Sequence, residues 1–193
     1  MKKFAAVFLF LTVCVCVHAQ TLTWDIKFLR LQPQKFESVS DTITMETGNQ
    51  FIFTVKPDVN AYCYVVAKMS SGAVAVMHSQ PMKGSVEIFF GPFALAEPVG
   101  SETIHVIMSL ERQTNLENLI NAFQKESDSK HHADSLYQEV MRLKNDALAN
   151  ETESKYIPLD TAGAMQHYVT RFSGGALYVG TIFIRHNPVT VLL

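Results

Sequence analysis

The chain has 193 residues, 48% of them hydrophobic, with 16 Lys and Arg against 18 Asp and Glu and a formal net charge of −2. That apolar content excludes a disordered chain, and the length suits one domain. A weakly acidic balance gives no electrostatic reason to expect nucleic acid, whose binding demands clustered Lys and Arg.

The N-terminus reads as a secretory signal peptide over residues 1–19. Lys2 and Lys3 come first, residues 4–17 are almost unbroken apolar, and Val17-His18-Ala19 sets up cleavage between Ala19 and Gln20. The apolar run is shorter than the roughly 20 residues that span a bilayer. A second reading makes Cys14 or Cys16 a lipidated N-terminus, although Val13 stands where a small residue is wanted. Cleavage reduces the 16 basic side chains to 14 against 18 acidic, and leaves Cys63 without an intramolecular partner. The exported chain, residues 20–193, therefore depends on its core and not on disulfides. Cys63 reads as a small buried hydrophobe.

Residues 22–31 alternate, with Leu22, Trp24, Ile26 and Phe28 on one face, which predicts a strand. Trp24 could offer an aromatic sugar platform, but core packing suits it better. Gln32-Pro33-Gln34 breaks the strand. Ile43 and Met45 alternate within 38–47, and Gly48-Asn49 signals a turn before Phe51, Phe53 and Val55. Residues 61–68 are apolar on both faces, as in a central strand, and Ser70-Ser71-Gly72 turns them into a hairpin partner at 73–78. Pro81 to Gly84 reads as a loop, 86–90 as a strand, Gly91-Pro92 and Glu97-Pro98 as the bounds of an irregular crossing, and 102–110 as a strand with Ile104, Val106 and Met108 on one side. Short strands at this spacing predict an antiparallel sandwich.

The period then changes. Thr114-Asn115-Leu116-Glu117 has the form of a capping box, followed by Leu116, Leu119, Ile120 and Phe123 at helical spacing. Leu136, Tyr137, Val140, Met141 and Leu148 mark a second helix, whose Glu139, Arg142, Lys144 and Asp146 read as a solvated face. The predicted architecture is mainly β: an antiparallel immunoglobulin-like β-sandwich with a helical hairpin inserted at about 113–150. Leu119 and Phe123 are expected to pack against the β-domain. Residues 156–159 read as extended, Ser173-Gly174-Gly175 as a turn, 176–185 as a strand, and 189–193 as an apolar terminus.

The pattern Gly48-x-x-Phe51-x-Phe53-x-Val55, Ala61-Tyr62-x-Tyr64-Val65, Gly72-x-Val74 and Pro98-x-Gly100-x-Glu102-x-Ile104-x-Val106-x-x-Ser109 resembles the bacterial family named domain of unknown function 4384. The match covers about a third of the chain by its periodic positions. The resemblance implies an exported β-rich module, and brings no catalytic residue with it.

No motif assigns a catalytic, cofactor or metal site. His131 and His132, with Asp134 nearby, lack the one-face spacing of a helical metal pair. A Cys63–His105 dyad has no third orienting group. Asn150-Glu151-Thr152 is a formal glycosylation sequon. Three functions stay open: a non-catalytic exported module binding an envelope protein or polysaccharide; an envelope-acting hydrolase using Glu87, Glu97 or Glu102 with a nearby His; and a carrier of a small apolar ligand. Residues 77–84 and the apolar C-terminus are the expected contact regions.

Overall fold

Period-two alternation folds residues 22–109 into eight strands, and the structure, a computed structural model, describes residues 21–39, 41–148, 151–159 and 167–189. The signal segment with Cys14, Cys16, Ala19 and Gln20, the sequon residue Asn150, and residues 190–193 lie outside the described residues.

In chain order the elements are β1 (Leu22–Leu31), β2 (Gln34–Glu37), β3 (Thr42–Glu46), β4 (Gln50–Pro57), β5 (Ala61–Lys68), β6 (Val74–Met82), β7 (Ile88–Ala94), β8 (Gly100–Ser109), α1 (Thr114–Lys125), α2 (Lys130–Leu148), β9 (Glu151–Leu159), β10 (His167–Gly174) and β11 (Leu177–Asn187). One sheet has the order β7-β4-β1-β10-β9, with β2 also paired to β1; the facing sheet has the order β3-β11-β8-β5-β6. The fold is a β-sandwich with a helical insertion, as the patterning predicts. Its ladders are antiparallel except for β3 against β11, which run parallel.

Inward positions of both sheets make the first core: Trp24, Ile26 and Phe28 from β1, Phe51, Phe53 and Val55 from β4, Cys63 and Val65 from β5, Ile104, Val106 and Met108 from β8, and Ile182 and Ile184 from β11. Trp24 is fully buried, stacked on Phe172 at 4.6 Å and edge-on to Tyr178 at 5.7 Å. It is core and no sugar platform. Its ring fits because β11 carries Gly180 opposite: a Cβ there would stand 2.6 Å from Trp24 Cη2. Asp25 and Arg171 fasten β1 to β10 with two parallel bonds of 2.7 and 2.9 Å, the bidentate geometry that makes such pairs strong.

The β3-β11-β8-β5-β6 sheet is covered on its other face as well. Tyr64, Val66, Ile107 and Val179 meet Leu116, Ile120 and Phe123 of α1 and Leu136, Val140, Leu143 and Ala147 of α2 in a second core. Phe123 is buried as expected, while Leu119 is only half-buried at the edge of this layer.

Four local expectations change. The N-cap of α1 is Gln113 with no side-chain cap bond. Glu117 does not reach back to close a capping box, because its carboxylate accepts from the Tyr64 hydroxyl at 2.8 Å and from Arg112 Nε at 2.6 Å. Glu139 is not on a solvated face: it is 8% exposed and held at 2.7 and 2.8 Å by Arg142, whereas Arg142 and Asp146 are exposed. The stretch from Pro81 stays in strand β6 to Met82, paired only to β5; on an edge strand the missing proline N–H costs no ladder bond. Gly91-Pro92 lies inside edge strand β7 for the same reason.

Two substitutions test these cores. Phe123→Ala is expected to lower the stability of the whole domain by about 3–5 kcal/mol, the range for a buried Phe, with a single unfolding transition by circular dichroism. Gly180→Ala is expected to cost about 1–3 kcal/mol by overpacking against Trp24; chemical denaturation measures it, and Trp24 fluorescence reports the displaced ring.

Candidate functional site

The first sheet ends in the β4–β7 edge and the second in the β5–β6 edge, and at one end of the sandwich these edges do not close on each other. A cleft of about 290 Å³ opens there. Phe51, Met69, Met77, Phe93, Leu95 and Ile104 form its apolar walls; Ser70, Ser71, Glu97, Glu102 and Thr103 supply its polar atoms. The lip is drawn together by short-range contacts. The Ser70 hydroxyl donates to the Pro98 carbonyl. Gly100, at φ 154°, passes so close that a Cβ would lie 3.1 Å from that of Ser70. The peptide bonds before Pro92 and Pro98 are cis.

Glu97 and Glu102 thus share one cleft. Glu97 sits on the exposed loop, its Oε2 accepting from the Val99 N–H at 3.0 Å. Glu102 is 8% exposed, because it continues the inward face of Ile104, Val106 and Met108 by two residues. Burial pushes its carboxyl above the usual range, while nearby His186 and Ser70 pull the other way. His186 continues the inward face of Ile182 and Ile184 on the neighbouring strand in the same manner, and is 2% exposed.

A polar chain links the two acids behind the cleft wall. Thr47 Oγ1 donates to Glu97 Oε1 at 3.1 Å and lies 2.8 Å from His186 Nε2. His186 Nδ1 faces Glu102 Oε1 at 3.7 Å, beyond hydrogen-bond reach, and has no hydrogen-bond partner among the described residues. The order carboxylate, imidazole, hydroxyl is that of a nucleophile relay. Two details oppose that use. Neither Thr47 nor His186 lines the cleft, and the Glu97 carboxylate beside Thr47 disfavours an alkoxide there.

The other sequence candidates lie elsewhere. Glu87 is on the outer face of the β7-β4-β1 sheet. Its partial burial raises its carboxyl pKa, but the Thr54 hydroxyl at 2.6 Å and Lys27 at 2.9 Å outweigh this and hold it below the usual range. Cys63 and His105 do not form a dyad: Cys63 belongs to the inter-sheet core, and His105, paired across from Val66, faces the helices. Burial pushes the Cys63 thiol up to about 12, so it stays protonated and inert. His105 lies 3.2 Å from Thr181 Oγ1 and 3.3 Å from the Tyr137 hydroxyl, a satisfied core histidine. His132 Nε2 lies 3.4 Å from Glu126 Oε2, Asp134 is exposed, and among the described residues no three His, Cys, Asp or Glu side chains group as metal ligands would. No helix of the described residues is long and apolar enough to cross a membrane.

A second, more polar depression between the β6 edge and α1 holds Tyr62, Gln80, Arg112, Glu117 and Asn121, which places part of the expected 77–84 region on its wall. Thr47, Ser70 and His186 were not singled out by their spacing. Extending the inward faces of β8 and β11 by two residues would have exposed Glu102 and His186 as polar groups at core positions.

His105 gives a stability test. Burial, then the Lys144 charge, lowers its pKa from 6.5 to about 4. A depressed histidine pKa means that the unfolded chain binds the proton first, so stability falls as pH drops from 6.5 and the loss saturates below 4, at about 3 kcal/mol. The loss across that window is expected to shrink by that amount in His105→Gln, as measured by urea unfolding at stepped pH.

No family model, no curated protein and no solved structure matches the chain.

Proposed function

We propose that this chain is an exported, non-catalytic β-sandwich module that binds an envelope protein or extracellular polymer at the rim cleft between its two sheets. The observation that carries this is the cleft itself: apolar walls with a few convergent polar groups are the usual form of a recognition site. The signal-peptide pattern of residues 1–19 and the resemblance of residues 48–109 to domain of unknown function 4384 support the exported, modular part of the reading. The inter-sheet core is filled by large side chains such as Trp24, Phe28, Phe53 and Met108, which argues against a carrier holding its ligand inside the sandwich and moves recognition to the rim.

A hydrolase remains as a second reading because Glu97 and Glu102 line one cleft with His186 behind them. Its weakness is that the imidazole is sealed away from any substrate in that cleft.

A photocrosslinker at Ser71, on the lip, is expected to trap a discrete adduct in the native envelope, while one at exposed Asp58, just past the end of β4 opposite to Phe51, traps none. Filling the lip with Ala96→Trp is expected to abolish the Ser71 adduct. Equal adducts from both positions would overturn the assignment of the cleft. Turnover of isolated envelope polymer by the purified protein, lost in Glu102→Gln, would replace it with the hydrolase.

A further inference from the structure

We propose that the rim cleft receives a lysine-type side chain of the envelope partner, ammonium first, its alkyl stem lying along the apolar walls. This rests on the binding reading and deepens it by naming what the partner presents.

The sign of the site comes first. Among the described residues Glu97 and Glu102 are the ionisable side chains lining the cleft, and none of the lining residues is basic. The second point is the state of Glu102. Other shielded carboxylates are matched by a Lys or Arg of the chain: Glu87 by Lys27, Glu117 by Arg112, Glu139 by Arg142. Buried acids are almost always paired in this way. Glu102 departs from the pattern: among the described residues its ion-pair neighbour is His186 at 3.7 Å, whose buried Nδ1 has no hydrogen-bond partner. An inserted ammonium supplies the missing cation, with Ser70 beside it and Glu97 at the lip. The third point is size and surface. About 290 Å³ is at the bottom of the range for whole small-molecule ligands, roughly 300–1,000 Å³, and suits one long side chain better. Phe93 offers an aromatic ring that can attract a cation, and Met69 and Met77 offer flexible thioether side chains that can cover a methylene stem.

Methyl-labelled methionine NMR on the mature chain tests this, because Met69 and Met77 line the cleft while Met45 and Met108 sit in the sealed core and report on folding. Nα-acetyl-lysine methylamide is expected to shift Met69 and Met77 in a saturable way and leave Met45 and Met108 unmoved. The norleucine analogue, with the stem but no charge, is expected to bind about tenfold more weakly, as is the lysine probe to Glu102→Gln, the loss of one charge-assisted hydrogen bond. Glu97→Gln, on the exposed loop, provides the same comparison if the Glu102 variant does not fold. Equal binding of the norleucine analogue would overturn the charge assignment and leave the cleft as an apolar site. Binding of hexylammonium without the lysine probe would replace the partner side chain with a free amine. If no probe moves Met69 or Met77 while the Ser71 crosslink still forms, the partner docks without a lysine. If the crosslink also fails, the binding reading falls with it.

Discussion

The structure depends on one sheet, β3-β11-β8-β5-β6, being buried on both faces at its centre. Its strand β5 has Cys63, Val65 and Ala67 toward the facing sheet and Tyr64 and Val66 toward the helices, all 1% exposed or less. A strand apolar on both sides cannot leave either face in water, since each large apolar side chain so exposed forgoes about 1.5–3 kcal/mol. The helical hairpin is therefore not an appendage. It is the third layer that this sheet requires, and Tyr64 ties the layers together. Its ring is buried in the second core, while its hydroxyl donates to Glu117 and accepts from the Gln113 N–H at the start of α1. One side chain thus contributes packing and also replaces the missing helix cap, because the Gln113 side chain makes no cap bond of its own.

Burial on two faces also determines where polar chemistry can sit. In the middle of the sheet a titratable group must be neutral and satisfied, which is the condition of His105 between Thr181 and Tyr137. At the strand ends the layers separate, and a polar side chain at an inward position can border the cleft, as Glu102 does, or meet a polar neighbour, as His186 meets Thr47. Glu102 and His186 lie there, at the start of β8 and the end of β11. The antiparallel register pairs Glu102 with Ile184 and His186 with Gly100, so the two polar groups sit on a diagonal of the same inward face. Cross-strand diagonals are within reach of long side chains, and the 3.7 Å approach of the two groups follows from that register.

What was legible in the sequence followed from strong periodicity. The alternation in 22–31, 51–55 and 102–110 gave strands with the correct inward faces, 176–185 gave a strand without a chosen face, and the change to helical spacing after 113 gave the hairpin. The missed strands lack that signal. In β10 the inward positions opposite Ile26 and Trp24 are Thr170 and Phe172, so polar and apolar residues do not alternate cleanly. β2 is four residues long and mostly polar, held by its pairing to β1. The capping box failed for a different reason: Glu117 had a better partner, Tyr64, brought by tertiary packing from 53 residues away. The cleft was illegible because its walls come from β4, β5, β6, β7 and β8 together, and no local spacing encodes that convergence.

The contrast between the two acids of the cleft follows from the same geometry. Glu97 lies on a loop, where its charge is solvated and its bonds to Thr47 and Val99 are made at the surface; such contacts are worth little individually. Glu102 lies on a strand whose alternation turns it inward, and the neighbouring ladder prevents it from rotating out to solvent. Its desolvation is thus imposed by the sheet. An apolar residue at position 102 would pack there without that penalty, as Ile104 and Val106 do on the same face. A carboxyl at a position suited to a hydrophobe carries a desolvation cost that His186 and Ser70 offset only in part, and a cation entering the cleft would reduce it.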